Sequence, residues 1–247
     1  MKLRQYGFVL VSLIAIALLA LPVMGQDFQR SYAVGAGGHI RVGNVSGEVI
    51  VTGYSGDVIL VRGYKEGRDR DRVQVEDLSG GDTVELKVRY PESCNCDASV
   101  RFDLQVPHAV RYNFDRISSV SGNVGITGVS GRIKAESVSG NVVVQEVAGE
   151  VTASAVSGNV EVDINRLEGS GDMRFASVSG NVSVRAPSNL DAEIEMSSVS
   201  GSLRTDFPIE VQDRDRGPGR SARGRVGTGQ RGLKITTVSG RVTLTRN

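Results

Sequence analysis

Apolar and small residues recur through the middle of the chain in steps of 4, 2 and 3, at Val120, Val124, Ile126, Val129, Ile133, Ala135, Val138, Val142, Val144, Val147, Val151, Ala153 and Val156. A step of 2 is the mark of a strand, whose alternate side chains share one face. The unit closes every nine residues, and a helix would show steps of 3 and 4 only. The step of 4 crosses Ser-Gly-Asn, where a glycine free to take a positive φ predicts a turn. The pattern therefore predicts short strands, with these apolar positions facing inward and a Ser-Gly-Asn turn after every second unit.

The repeat is also visible as words. Ser-Val-Ser-Gly-Asn-Val or a close variant begins at Ser119, Ser137, Ala155, Ser177 and Ser198 and returns at Thr237. Weaker half-copies fall at Gly128-Val129-Ser130-Gly131, Glu146-Val147-Ala148-Gly149 and Arg166-Leu167-Glu168-Gly169. The first five full copies are 18, 18, 22 and 21 residues apart, so two units make one coil. One unit cannot bury its own face, which makes the expected fold an all-β, single-stranded β-solenoid (β-helix) of 18–22 residues per coil. Four to five coils between Ser119 and Leu203 give a stack about 20–25 Å tall at about 4.8 Å per layer.

In this register Asn123, Asn141, Asn159 and Asn181 form a ladder on one edge, beside Ser121, Ser139, Ser157 and Ser179. Such a ladder satisfies turn backbone groups, and it also suits recognition of a repetitive ligand such as a glycan. Arg132, Glu150 and Asp172 fall on the opposite edge. Residues 26–116 read as an N-terminal β region: an opening coil between Gln29 and Gly63, then longer alternation from Val73 to Pro107 with a turn at Ser79-Gly80-Gly81-Asp82. These strands are expected to widen or cap the stack, since a bare solenoid end invites pairing. Residues 117–247 hold the solenoid repeats, interrupted by a Gly/Arg-rich loop at 206–232 that includes Arg214, Arg216 and Arg220, before Lys234 to Leu244 closes the stack.

Lys2 and Arg4 precede an apolar run from Phe8 to Leu21, followed by Pro22-Val23-Met24-Gly25, so residues 1–25 read as a signal peptide. The run is too short to span a bilayer, and no membrane span is expected after its removal. Export places the chain in the periplasm, at the outer surface or in the medium. A net formal charge of +1 gives no electrostatic case for nucleic acid. With no Trp and 31 Gly, the core must be built from small β-branched residues.

Chemistry is sparse. Cys94 and Cys96, one residue apart, are compatible with a local or intermolecular disulfide, with free thiols, or with part of a metal site that two thiols leave incomplete. No nucleophile elbow, phosphate loop or zinc-helix motif occurs, and His39 and His108 are isolated surface or turn residues. The outward pairs Glu161/Asp163, beside Ser183 and Arg185, and Glu193/Glu195, near Arg174, mix both signs of charge as a solvated surface does. Calcium-binding nonapeptides share the period but need an Asp that is missing here. No catalytic residue, cofactor or metal site is expected.

The Val-Ser-Gly-Asn-Val copies, the opening run Ile40 to Gly53, Gln105-Val106-Pro107 ahead of the stack and the closing Ile235-Thr236-Thr237-Val238-Ser239-Gly240 together resemble the bacterial putative-adhesin family of short β-strand repeats. The resemblance covers nearly all of the chain beyond the leader. It implies a β-helical, envelope-associated protein with no known catalytic residue. The expected function is non-enzymatic adhesion or binding of a glycan or envelope protein. A periplasmic assembly partner and a carbohydrate-active enzyme are the alternatives.

Overall fold

The computed structural model describes residues 27–213 and 219–247, without side-chain detail for 210–213. The expected signal peptide, Arg214 and Arg216 lie outside the described residues. Every regular element among the described residues is a β-strand except for a short 3-10 turn at Arg70–Arg72. The strands form one continuous hydrogen-bonded sheet, joined through Val142–Ser157, that folds over a single apolar core; its two sides are a wide sheet and a narrow sheet.

In the wide sheet the hydrogen-bonded order is Gln74–Asp77, Thr83–Arg89, His39–Ser46, Arg111–Ser121, Ser130–Ser139, the second half of Val142–Ser157, Met173–Ser179, Arg231–Ser239, Ala192–Ser200, Arg220–Val226 and Glu210–Asp213. In the narrow sheet it is Phe28–Tyr32, Ile59–Glu66, Ser99–Pro107, Val49–Tyr54, Val124–Thr127, the first half of Val142–Ser157, Val160–Arg166, Val182–Ala186, Val242–Arg246 and Leu203–Thr205. Pairing is parallel through the body of both sheets. Each coil crosses from one sheet to the other, as the solenoid expectation requires. Val142–Ser157 does so as one strand, bending at Glu146 (φ 54°) and Gly149 (φ 137°).

The layers are not in sequence order, however. The coil made by His39–Ser46 and Val49–Tyr54 lies between residues 83–107 and residues 111–127. The last coil, Arg231–Ser239 and Val242–Arg246, slots between the Met173 and Ala192 coils. Thus the 21-residue step from Ser177 to Ser198 does not measure one coil, because Thr237 is stacked between them. The Ser-Gly corners of seven layers align, in the order 47, 122, 140, 158, 180, 240 and 201: five belong to the stretch between Ser119 and Leu203, where four to five coils were expected, and the other two to the opening coil and the closing strand pair.

Inward columns are apolar as predicted. Val42, Ile117, Ala135, Ala153, Phe175, Ile235 and Met196 stack through the wide sheet, and Val51, Ile126, Val144, Val162, Val184 and Leu244 through the narrow one, all essentially sealed from solvent. Val120, Val138 and Val156 depart from the expectation. They point outward and are 44–47% exposed, whereas their neighbours Ser119, Ser137 and Ala155 face the interior. The hydroxyls explain this: Ser119 donates to Gly47 O (2.9 Å), Ser137 to Gly122 O (2.8 Å), Ser177 to Gly158 O (2.8 Å), Thr237 to Gly180 O (2.8 Å) and Ser198 to Gly240 O (2.9 Å). A buried hydroxyl bonded to the layer next to it costs little, so a serine can take the inward position at each corner. Ala155 is the one rung in this series without a hydroxyl.

The corner glycines also serve a purpose other than the one expected. Gly122, Gly140, Gly158, Gly180 and Gly201 do not adopt a positive φ. Instead, a Cβ on any of them would sit 1.9–2.2 Å from the carbonyl oxygen of the glycine in the adjoining layer. Glycine is required there by the closeness of the layers.

Antiparallel strands finish both ends. At one end Tyr32 donates to Asp77 (2.8 Å), joining the outermost strands of the two sheets, and burial is the first cause of its phenol pKa rising to about 12. At the other end the 206–232 stretch, expected to be a loop interrupting the stack, contains the hairpin of Glu210–Asp213 and Arg220–Val226 that covers Ala192–Ser200. Alternation in Ser221-Ala222-Arg223 was masked by arginines and glycines, yet Ala222 is buried. The turn leaving this hairpin is held by Asp191, which accepts hydrogen bonds from Thr228 Oγ1 (2.7 Å), Gly229 N (2.6 Å) and Gln230 N (3.1 Å). The Thr228 hydroxyl, followed by these amides, lowers the carboxyl pKa below its usual range.

Three outcomes check this account. Val142→Asp should lower stability by several kcal/mol because an unpaired charge enters a sealed column, while Val178→Asp should stay within about 1 kcal/mol, as denaturant titration would show. At the corners, Gly140→Ala should cost at least about 3 kcal/mol, and Ala155→Ser should add about 1 kcal/mol by giving Gly140 O its missing donor. For Asp191 the folded pKa lies below an unfolded value of about 3.9, so its contribution is present above that pH and disappears as pH falls through the folded pKa. The melting temperature of Asp191→Asn should accordingly depend less on pH than the parent's below about pH 4.

Candidate functional site

Local chemistry fixes the edge of the stack. After each inward serine, threonine or, at 155, alanine come an outward valine, an exposed serine, the crowded glycine and, in four layers, an asparagine. Asn123, Asn141, Asn159 and Asn181 form a continuous ladder: Asn123 Oδ1 accepts from Asn141 N (2.9 Å), Asn141 Oδ1 from Asn159 N (2.9 Å), Asn159 Oδ1 from Asn181 N (2.8 Å) and Asn181 Oδ1 from Arg241 N (2.8 Å). Each side-chain oxygen thus satisfies a corner amide that the tight turn leaves without a backbone partner. Asn123 Nδ2 donates to Glu48 (2.9 Å). The Nδ2 groups of Asn141, Asn159 and Asn181 have no partner among the described residues, and these side chains are exposed, as are Ser121, Ser139, Ser157 and Ser179.

Beside this edge runs a feature that the apolar pattern hid. Val45, Val120, Val138, Val156, Val178, Val238 and Val199 stack in successive layers on the outer face of the wide sheet, each 36–47% exposed. The signal was present in the sequence. Extending the alternation Ile133, Ala135 by one step lands on Ser137, leaving Val138 on the other face.

The charged positions assemble into ion pairs. Arg132 meets Glu150 (3.4 Å) on the opposite edge, and Asp172 accepts from Gly232 N (2.7 Å). Asp163 pairs with Arg185 (2.9 Å), the neighbour expected from the register. Glu195 is different: the interposed strand puts Lys234 between it and Arg174, so its partners are Arg223 (3.0 Å) and Lys234 (3.2 Å). Arg223, then Lys234, hold its carboxyl below the ordinary range, the reverse of what a general acid requires. His39 Nδ1 lies 2.8 Å from Asp115, which also accepts from Arg41 (2.9 Å), and His108 Nδ1 lies 2.8 Å from Tyr54 O. Both histidines sit at strand ends as parts of the framework.

Cys94 and Cys96 are joined in a disulfide with their Cα atoms 5.1 Å apart. Among the described residues there is no cluster of three His, Cys, Asp or Glu side chains placed to hold a metal, and no helix long and apolar enough to cross a membrane.

Comparison with known proteins gives the chain a family. A putative cell adhesion protein from Clostridium sporogenes is 11% identical, with a TM-score of 0.39 and coverage of 89% of this chain and 99% of that one. A putative adhesin from Bacteroides fragilis is 16% identical, with a TM-score of 0.41 and coverage of 89% and 96%. No curated protein matches the sequence. The family model described as Toastrack DUF4097 matches residues 103–245, more than half of the sequence, and the chain belongs to that family.

Proposed function

We propose that this chain is an exported, non-enzymatic binding module of the cell envelope, an adhesin-type protein that presents the Asn/Ser edge of its stack to a repetitive polar ligand such as a glycan. The observation that supports it is the row of Nδ2 groups at Asn141, Asn159 and Asn181. Their oxygens are tied into the backbone, so the amides are oriented, and their unused donors repeat at the layer spacing of about 4.8 Å. The exposed hydroxyls of Ser139, Ser157 and Ser179 run alongside and add groups that both donate and accept. Oriented donors repeated at fixed spacing suit a polymer with its own repeat, and little ordering is needed on binding. The leader-like run at Phe8 to Leu21 agrees with export.

A second reading, a structural partner within the periplasm, draws on the exposed valine column, which suits a protein surface better than a sugar. Protease treatment of intact and permeabilised source cells separates the two. Cleavage on intact cells supports display at the surface; protection until permeabilisation supports the periplasmic partner. For the Asn edge, the measurement is co-sedimentation with isolated cell-wall polysaccharide. Asn141→Asp with Asn181→Asp keeps the acceptor oxygens of the ladder and removes two donors. Binding should fall at least about tenfold with little change in melting temperature, and unchanged binding would rule the edge out as the contact.

A further inference from the structure

The outer face of the wide sheet carries an apolar strip that nothing in the fold covers. Isolated exposed valines are ordinary, but seven aligned in consecutive layers make a continuous column about 29 Å long at about 4.8 Å per layer. Its flanks are small. The next outward column is Gly43, Ser118, Glu136, Ser154, Ala176, Thr236 and Ser197, in which Glu136 alone is long and is held by Lys134 (3.1 Å) and Arg116 (3.7 Å). At the Thr83–Arg89 end the strip opens into a groove of about 750 Å³ over Val45, Val120, Val138 and Val156. Beyond the small column stands a basic one, Arg41, Arg116, Lys134, Arg174 and Lys234. Arg41 is compensated by Asp115 and Glu85, Arg116 and Lys134 by Glu136, and Lys234 by Glu195. Arg174, beside Lys234 and Thr152, has no acidic partner among the described residues, so the face offers apolar surface with one uncompensated cation, short of the extended positive field that a lipid or nucleic-acid surface would select.

We propose that two copies of this chain pair through this strip, wide sheet against wide sheet, about a two-fold axis parallel to the stack. Self-pairing fits the strip's area, shape and charge. Three columns about 20 Å across and about 29 Å long present about 600 Å² per copy, near the lower end of what each partner contributes to a standard interface. Valine and serine leave the face flat, so two such sheets can approach to the usual face-to-face spacing with strands aligned. Charge then selects the axis. A two-fold along the strands would invert the stack and set Arg116 opposite Lys234 and Lys134 opposite Arg174 of the second copy. A two-fold along the stack lays each basic column over the other copy's uncharged serine corner, with Val156 facing Val156 near the centre and Val120 facing Val120. In this arrangement the serine hydroxyls beside the Asn edge lie under the second copy, so a ligand at that edge of the dimer would meet the Asn141, Asn159 and Asn181 amides alone; neither sedimentation nor cross-linking involves such a ligand.

Sedimentation equilibrium on protein isolated from source cells tests the pairing. The expected result is a monomer–dimer equilibrium below about 100 μM that Val156→Lys weakens at least tenfold while the melting temperature stays put. A monomer throughout, or a dimer indifferent to Val156→Lys, overturns the proposal. For the axis, oxidation of Val120→Cys should yield a disulfide-linked dimer on its own. Linkage that appears only when Val120→Cys is mixed with Val238→Cys would overturn the arrangement along the stack.

Discussion

The closeness of adjoining layers at the Ser-Gly corner is the constraint on which the rest of the structure depends. One glycine's carbonyl occupies the space where the neighbouring layer's Cβ would be, from Gly47 through Gly122, Gly140, Gly158, Gly180 and Gly240 to Gly201. That oxygen also accepts the inward Ser or Thr hydroxyl in most layers, and the following Asn carries the next amide. Three residues thus dispose of the polar backbone groups that a turn at this spacing would otherwise strand. Because the glycine contact recurs in every layer, the apolar residues on either side are held in register and stack in columns.

This division of labour explains which parts of the fold could be read from the sequence. The period, the coil of 18 residues and the inward positions Val124, Ile126, Ile133, Ala135, Val142 and Val144 follow from apolarity alone. The corner does not, because there the usual equation of apolar with inward is reversed. Ser137 is inside because its hydroxyl is bonded to Gly122 O, and Val138 is outside because alternation leaves it no other face. The Asn ladder was legible as a ladder, since equal spacing suffices to stack equal residues. Its bonding could not be read, because it depends on which corner amide lacks a backbone partner. The hairpin around Ala222 was hidden by composition: arginine and glycine resemble a loop when only one face of a short strand is buried.

Layer order was illegible for a different reason. Periodicity says which residues can stack, and Ser177, Ser198 and Thr237 are equivalent by that criterion. Their order is set by the ends. Met173–Ser179 accepts the last coil because Ala192–Ser200 is already covered on its far side by the antiparallel Arg220–Val226. The first coil is enclosed likewise, with Thr83–Arg89 on one side and Arg111–Ser121 on the other. Both of these coils therefore lie inside the stack, and its ends are formed by Gln74–Asp77, Phe28–Tyr32, Glu210–Asp213 and Leu203–Thr205.

That topology bears on function, since it decides which surfaces are open to a partner. A solenoid with bare ends grows or pairs end to end, through the unpaired amides and carbonyls of its last coil. Here the outermost strands are Gln74–Asp77, Glu210–Asp213, Phe28–Tyr32 and Leu203–Thr205, none longer than five residues, and three of them run antiparallel to the layer they cover. Short strands offer a poor template for edge addition. What remains open is the lateral surfaces, where the stack repeats side chains at the layer spacing, and both proposed contacts lie there. On one flank these are oriented amides and hydroxyls, and on the adjoining face a column of valines. The fold multiplies any weak contact by the number of layers: the Val-Ser-Gly corner, too small to bind anything by itself, recurs in seven aligned copies, four of them followed by Asn, and the proposed contacts would act together along that length.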